Sequence, residues 1–526
     1  MAYTFVNGKI FTSDPLMPYA DSMVVENERI KWIGPFSELP AAYGECIDLG
    51  GRRVLPGFID AHMHAEMLAE NLSQIPCTPP AVSSIRELQI KLKESAISRE
   101  AGSWILGWGY DEEKMEEKRM PDRWDLDKAC PDQPVMIMRS CVHVCIVNSF
   151  ALSLAGIGQQ INGDPEGGRI DRDERGIPTG VLREEAAISL VRKHLPQRSQ
   201  EEKAQTLAEL SSLLASYGIT SVTEMMADGG SYDRFLAGRR KGFKQKAVLY
   251  CMWDSLRARP VSPEQTNAGN HLFIAGVKLF ADGSITGRTA WVDPPYLDSS
   301  ENGICIINKE EITAACRYAR KHNLQVSTHA MGEMAIRMAL DVFAGEYPWI
   351  PDSPTFRMEH ASLVQPSDLE LASSRQIALL PQPVFIFAEI EGYISSIGIE
   401  RTRKSYPIRS MLDKGIPVCI SSDAPATAWS EPYNPFIGIK AAVTRTSWNG
   451  TDTGQEQRIS LIEAVWLYTR KAAEIARLPS TGCLKSGNFA DFIVLDKDIF
   501  DVPLTEVDSV KVEMTYINGE KVYHRT

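Results

Sequence analysis

The chain has 526 residues, of which 44% are hydrophobic, and a formal net charge of −12. It is long enough for one large domain and a smaller one with an ample core, and its acidic balance excludes a nucleic-acid binder, which needs Lys and Arg clustered at phosphates. Ten cysteines are scattered without a C-x-x-C pair, a usage that fits reduced thiols better than a disulfide framework. No window approaches the roughly 18 uninterrupted apolar residues of a membrane helix, and no basic region precedes an apolar stretch at the N-terminus. The expectation is a cytoplasmic protein with no membrane contact.

In chain order, residues 3–11 read Y-T-F-V-N-G-K-I-F and residues 514–523 read M-T-Y-I-N-G-E-K-V-Y. Each pattern predicts a hairpin around an Asn-Gly turn. More strand material at 23–33 and 490–495 lets the two ends meet in one small β-sandwich, residues 1–55 and 479–526, with 56–478 as a continuous domain between them. That domain opens on G-F-I-D-A-H-M-H at Gly57. On a strand, side chains at i and i+2 project from one face, so His62 and His64 can place two imidazoles on one ion; on a helix a rotation of roughly 200° turns them apart.

Short β-branched or apolar runs then recur at 55–62, 218–224, 246–253, 275–282, 324–330, 355–361, 377–383 and 417–423, each followed by a polar loop and a helix-like stretch. Eight strands alternating with helices predict an α/β fold, the (β/α)8 TIM barrel. About 155 residues separate the first two strands, far more than a βαβ unit requires, so a segment is inserted at about 75–200. It carries strands at 104–108, 134–139 and 142–148. Cys141, His143 and Cys145 alternate on the last of these, where apolar neighbours favour a buried strand over a zinc site. The acidic D-E-E-K-M-E-E from Asp111 reads as a solvated helix start. The glycine-rich G-G-R-I-D-R-D-E-R-G-I-P-T-G from Gly167 reads as turns, since no Lys-Ser/Thr pair or Rossmann spacing accompanies it.

Barrel enzymes build their sites at the C-terminal ends of the strands, which is where metal ligands should fall. His62 and His64 end the first run, Lys278 lies in the fourth, His329 ends the fifth, His360 the sixth and Asp423 the eighth. The chain holds nine histidines, and four of them stand at strand ends. Taken together, the set points to a metal centre.

These residues carry a resemblance. The chain is similar to the amidohydrolase superfamily, and within it to the N-substituted formamide deformylase-like branch (amidohydrolase 3 type), through P-G-F-I-D-A-H-M-H at Pro56, W-G-Y-D at Trp108, G-V-K-L-F-A-D-G-S at Gly276, T-H-A-M-G-E at Thr328, R-M-E-H-A at Arg357, S-S-D-A-P at Ser421 and G-N-F-A-D-F-I-V-L-D at Gly487. One departure is Glu333, where relatives carry Asp; it lies near a helix start. The resemblance implies one or two divalent ions, most often zinc. His62, His64 and Asp423 would hold the more buried ion, and His329 and His360 the more exposed one. An ammonium has no lone pair for a cation, so Lys278 would act as a carbamate formed with carbon dioxide, bridging the ions; the competing reading is a buried ion pair with Asp282.

The implied activity is hydrolysis of an amide, formamide or related C–N bond by metal-activated hydroxide, with Asp423 moving the proton to the leaving nitrogen and His143 a candidate donor to the carbonyl oxygen. A deaminase is disfavoured because Gly332, not Glu, lies three residues after His329. Isomerase or carbon–carbon hydrolase chemistry runs on the same scaffold, and a non-catalytic assembly protein would have lost the ligand set that is intact here. Trp108 and Tyr110, with Trp124, Trp291 and Trp429, are candidates to wall a pocket for a small-molecule substrate. A homodimer is suggested by family habit alone.

Overall fold

The computed structural model describes residues 2–40, 44–97, 99–100, 102–140, 144–158 and 163–525. They form two compact units: Met1–Glu66 with Lys203–Ala424 and Tyr433–Thr526, and Met67–Glu202 with Pro425–Pro432.

The first unit contains the barrel. Seven parallel strands run in the order Phe58–Met63, Ile219–Ala227, Lys246–Met252, Leu272–Phe280, Gln325–Ala330, Phe356–His360 and Ala378–Leu380. Most of their residues are buried whichever way they point. That is the signature of a parallel sheet covered on one face by helices and filled on the other by its own side chains. The helix Lys309–Lys321 shows how the outer face is covered: Ile312, Ala315, Cys316 and Ala319 form its buried stripe, and Asn308 caps its start by accepting from the Glu311 N–H.

The eighth member of the barrel is the irregular segment 417–423. Leu379 N–H donates to Pro417 O at 3.0 Å, Asp423 N–H to His62 O at 2.8 Å and His64 N–H to Ala424 O at 2.8 Å. These bonds join the seventh strand to the first and close the (β/α)8 barrel. The first barrel strand starts at Phe58, not at 55. Residues 53–56 belong to a separate strand of the terminal sandwich, and Gly57 makes the passage between them, where a Cβ would lie 2.3 Å from Thr220 Cγ2.

Both chain ends build the β-sandwich. One sheet orders Arg29–Gly34, Ser22–Glu26, Ala2–Val6 and Glu45–Asp48; the other orders Glu520–His524, Val512–Ile517, Phe492–Leu495, Arg53–Pro56, Lys9–Phe11 and Tyr19–Ala20. Phe5 of the first sheet meets Phe492 and Tyr516 of the second edge-on at 5.1 and 5.4 Å between ring centroids. The C-terminal hairpin forms as expected, with Asn518 and Gly519 both left-handed (φ +52° and +73°). The N-terminal one does not. Only Asn7 is left-handed there (φ +56°), whereas the tight hairpin turn needs both central residues so, and the chain crosses from one sheet to the other instead of folding back.

The second unit is built on a six-stranded sheet. Its strands include Ile105–Tyr110, Val135–Arg139 and Val144–Val147, and the glycine-rich stretch read as turns forms a further pair, Arg169–Arg172 against Pro178–Arg183. The turn residues occupy only the middle of that hairpin, around Gly176 (φ +78°). The nine cysteines among the described residues are free thiols. No helix among them is long and apolar enough to cross a membrane.

At the opening of the third barrel strand, Lys246 is buried with its Nζ 2.6 Å from Asp491 Oδ2 and 2.7 Å from Asn518 Oδ1. Breaking a buried pair strands a charge. Asp491→Ala is predicted to cost about 3–5 kcal/mol, read as a lowered thermal midpoint, with most of it recovered in the double variant Lys246→Met/Asp491→Leu. An unchanged midpoint in Asp491→Ala contradicts this.

Candidate metal centre

The closing bond between Asp423 and His62 brings three side chains to one point. Asp423 Oδ1 lies 3.0 Å from His62 Nε2 and 2.9 Å from His64 Nε2, and ligand atoms of the three residues all fall within 4.8 Å of one another. The two imidazoles therefore converge as the strand period requires. His62 Nε2 and Asp423 Oδ1 are buried without a directed hydrogen bond, close as they are. Buried polar atoms are normally paired, and two neutral imidazole nitrogens with a carboxylate oxygen are what a divalent cation takes. The residues fit such an ion.

The remaining strand-end residues surround the same barrel mouth. His329 and His360 pack ring to ring with centroids 4.3 Å apart, and His360 lies 5.0 Å from His62. His329 uses Nε2 on the Gly283 carbonyl at 3.0 Å, and His360 uses Nδ1 on Gln382 Oε1 at 2.8 Å. Each is thereby left with one ring nitrogen, Nδ1 of His329 and Nε2 of His360, that makes no hydrogen bond among the described residues. Burial, then the Lys278 charge, pushes His329 down to about 3, and burial, then His329, holds His360 well below the ordinary range. Both rings are neutral, the form that ligates. His360 and Asp423 have φ of +68° and +56°, a left-handed conformation uncommon for residues other than glycine and concentrated at functional sites.

Lys278 is buried, its Nζ has no hydrogen-bond partner among the described residues, and burial lowers its pKa to about 8 against the raising effect of Glu359 and Asp423. The ion pair with Asp282 does not form. Asp282 accepts instead from three backbone N–H groups, those of Trp291, Met331 and Gly332 at 2.9, 3.0 and 2.8 Å, and burial pushes it up to about 7.

Trp108 and Tyr110 belong to the second unit, on the strand Ile105–Tyr110. Tyr110 is fully buried in that unit's core, its hydroxyl donating to Arg119 O at 2.8 Å, and Trp108 is 8% exposed. His143 and Cys141 lie outside the described residues. Glu333 starts the helix Glu333–Gly345 and pairs with Arg401 at 2.8 Å, away from any ligand role.

The model of the amidohydrolase family matches residues 45–523. The chain belongs to the amidohydrolase family. The putative amidohydrolase YtcJ of Bacillus subtilis (strain 168) is 30% identical to it over 532 residues, covering 96% of each chain. The N-substituted formamide deformylase of Arthrobacter pascens is 26% identical over 558 residues, 99% of this chain and 98% of that one. The crystal structure of an uncharacterized metal-dependent hydrolase from Pyrococcus furiosus is similar with a TM-score of 0.73 at 30% identity, covering 95% of this chain and 99% of that one.

Several residues that organise the amidohydrolase site are not evident from strand ends alone. Glu359 lies 2.7 Å from His62 Nδ1 and is gripped by Arg357, both fully buried; burial alone would raise it, but Arg357 and then His62 hold it well below the carboxylate range. Glu224 accepts from the backbone N–H of Glu66 and of Met226 at 2.9 Å each and stands 3.9 Å from His64 Nδ1. Asp60 takes the N–H groups of His62 and Ser422 at 3.3 and 3.2 Å, tying the first strand to the eighth, and burial pushes it up to about 6. One signal was available in R-M-E-H: opposite charges two residues apart on a buried strand must pair.

Burial works against a charged His64, but the adjacent Asp423 and then Glu224 push it up to about 9. The metal-free amidohydrolase therefore carries a proton there at pH 7 that a cation must displace. Zinc uptake is predicted to release protons, with affinity rising toward pH 9, and calorimetry in buffers of different ionisation enthalpy measures it. Uptake with no proton released contradicts this.

Proposed function

We propose that this amidohydrolase uses zinc, or another divalent ion, to hydrolyse the C–N bond of an amide or formamide. The convergence of His62, His64 and Asp423 on one point is the observation that carries the reading, and the name of the Arthrobacter pascens relative supports the formamide class. When bound, a divalent cation supplies Lewis acidity, making hydroxide available near neutral pH and drawing charge from a substrate carbonyl. Asp423 is ionised, because His62 and then His64 hold its pKa well down against the effect of burial. It accepts the proton as oxygen attacks the planar carbon and passes it to the leaving nitrogen when the C–N bond breaks.

His329 and His360 would hold a second ion through the nitrogens their hydrogen bonds leave free. Lys278 would supply a further ligand to the bound metal as a carbamate. Its neutral amine forms an N–C bond to carbon dioxide and loses one proton, so that a group with three donors becomes an anionic oxygen ligand. Its burial, its lowered pKa and the absence of a hydrogen-bond partner for its Nζ among the described residues support this reading.

Release of free amine from a panel of N-formyl and N-acetyl amines tests the reaction. Activity on at least one member is expected, falling roughly 100- to 10,000-fold in Asp423→Ala; a panel left intact by zinc-loaded protein overturns the amide assignment. Metal analysis tests the carbamate. The parent is expected to hold about two equivalents and Lys278→Ala to lose metal, while full stoichiometry in Lys278→Ala contradicts the carbamate and leaves the hydrolase standing.

A further inference from the structure

Beneath the three converging ligands the barrel interior is polar. Glu359 Oε1 accepts from Ser327 Oγ at 2.7 Å and Arg357 Nε at 2.5 Å, and Oε2 accepts from Arg357 Nη2 at 3.1 Å and meets His62 Nδ1 at 2.7 Å. Four contacts fill the acceptor positions of one carboxylate, so Glu359 has no lone pair to offer a cation. The guanidinium is itself fixed, donating to the Ala61 carbonyl at 2.7 Å and to Tyr250 Oη at 2.9 Å. Ala61 immediately precedes His62, so Arg357 holds both the carboxylate and the strand that carries the ligand.

We propose that Glu359 is a positioning residue for metal capture: by accepting the Nδ1 proton of His62 it fixes the tautomer and ring orientation that leave the Nε2 lone pair beside Asp423, on the cation side. With Ser327 and Arg357 donating to both of its oxygens, Glu359 meets His62 as an acceptor, so the proton sits on Nδ1. A ligating histidine held in this way is both oriented and made more basic. The proposal rests on the metal-hydrolase reading and extends it to a residue that touches neither cation nor substrate.

The test is direct metal affinity, measured by competition of zinc between a chromophoric chelator and metal-free protein. Glu359→Gln is expected to bind zinc 10- to 100-fold more weakly than the parent. Ser327→Ala, which removes a donor to the same carboxylate without touching His62, is expected to change affinity less than about threefold on the same scale. Equal affinity in Glu359→Gln and parent overturns the positioning role while leaving the hydrolase reading intact; a parent that binds neither zinc nor another divalent ion overturns the hydrolase reading itself. If Glu359→Gln does not fold, the parent still decides. In zinc-loaded protein with 15N-labelled histidine, His62 is expected to keep a protonated Nδ1 and to coordinate through Nε2, and coordination through Nδ1 overturns the proposal.

Discussion

The hydrogen bond from the Asp423 N–H to the His62 carbonyl, 2.8 Å long, is the constraint on which the rest of this molecule depends. It closes the barrel between its first and eighth members, and in doing so sets the side chains of His62, His64 and Asp423 against one another. Fold closure and site formation are thus one event. The eighth segment is too irregular to count as a strand, and it is held by its two ends: Pro417 O receives the Leu379 N–H, while Ala424 O receives the His64 N–H. Asp60 reinforces the join by taking one N–H from each side.

A barrel filled with hydrocarbon needs nothing beneath its mouth, but this one carries charge there. Arg357 and Glu359 are both fully buried, and removing two ions from water is repaid only when geometry and further hydrogen bonds satisfy the remaining groups. Here they do. The guanidinium spends its donors on Glu359, Tyr250 and the Ala61 carbonyl, and the carboxylate spends its acceptors on Arg357, Ser327 and His62. Among the described residues, His62 Nε2, His64 Nδ1, Asp423 Oδ1 and Lys278 Nζ at the site are buried without a hydrogen-bond partner. A satisfied ion pair that supports unpaired ligand atoms is what a metal centre on a rigid support requires.

Much of this was legible in the residues. The strand period places His62 and His64 on one face, and the barrel rule sends His329, His360 and Asp423 to strand ends; both follow from local geometry and topology. What escaped depends on information that periodicity does not hold. The Asn7-Gly8 pair has the residues of a hairpin turn, but whether one or both turn left-handed is settled by the two sheets it must connect. The stretch from Gly167 was dominated by its glycines, which hid the short strands on either side. Glu359 and Arg357 were visible in R-M-E-H, yet the histidine beside them drew the functional reading, and only the folded barrel shows that the carboxylate reaches across to His62.

His62, His64 and Asp423 together make the proposed cation site. Anomalous diffraction at the zinc absorption edge, from crystals of the full chain grown with zinc, measures this directly. The expected result is a peak bonded to His62 Nε2, His64 Nε2 and an Asp423 oxygen at about 2.0–2.2 Å. Zinc-saturated crystals with no peak at those three residues would contradict it.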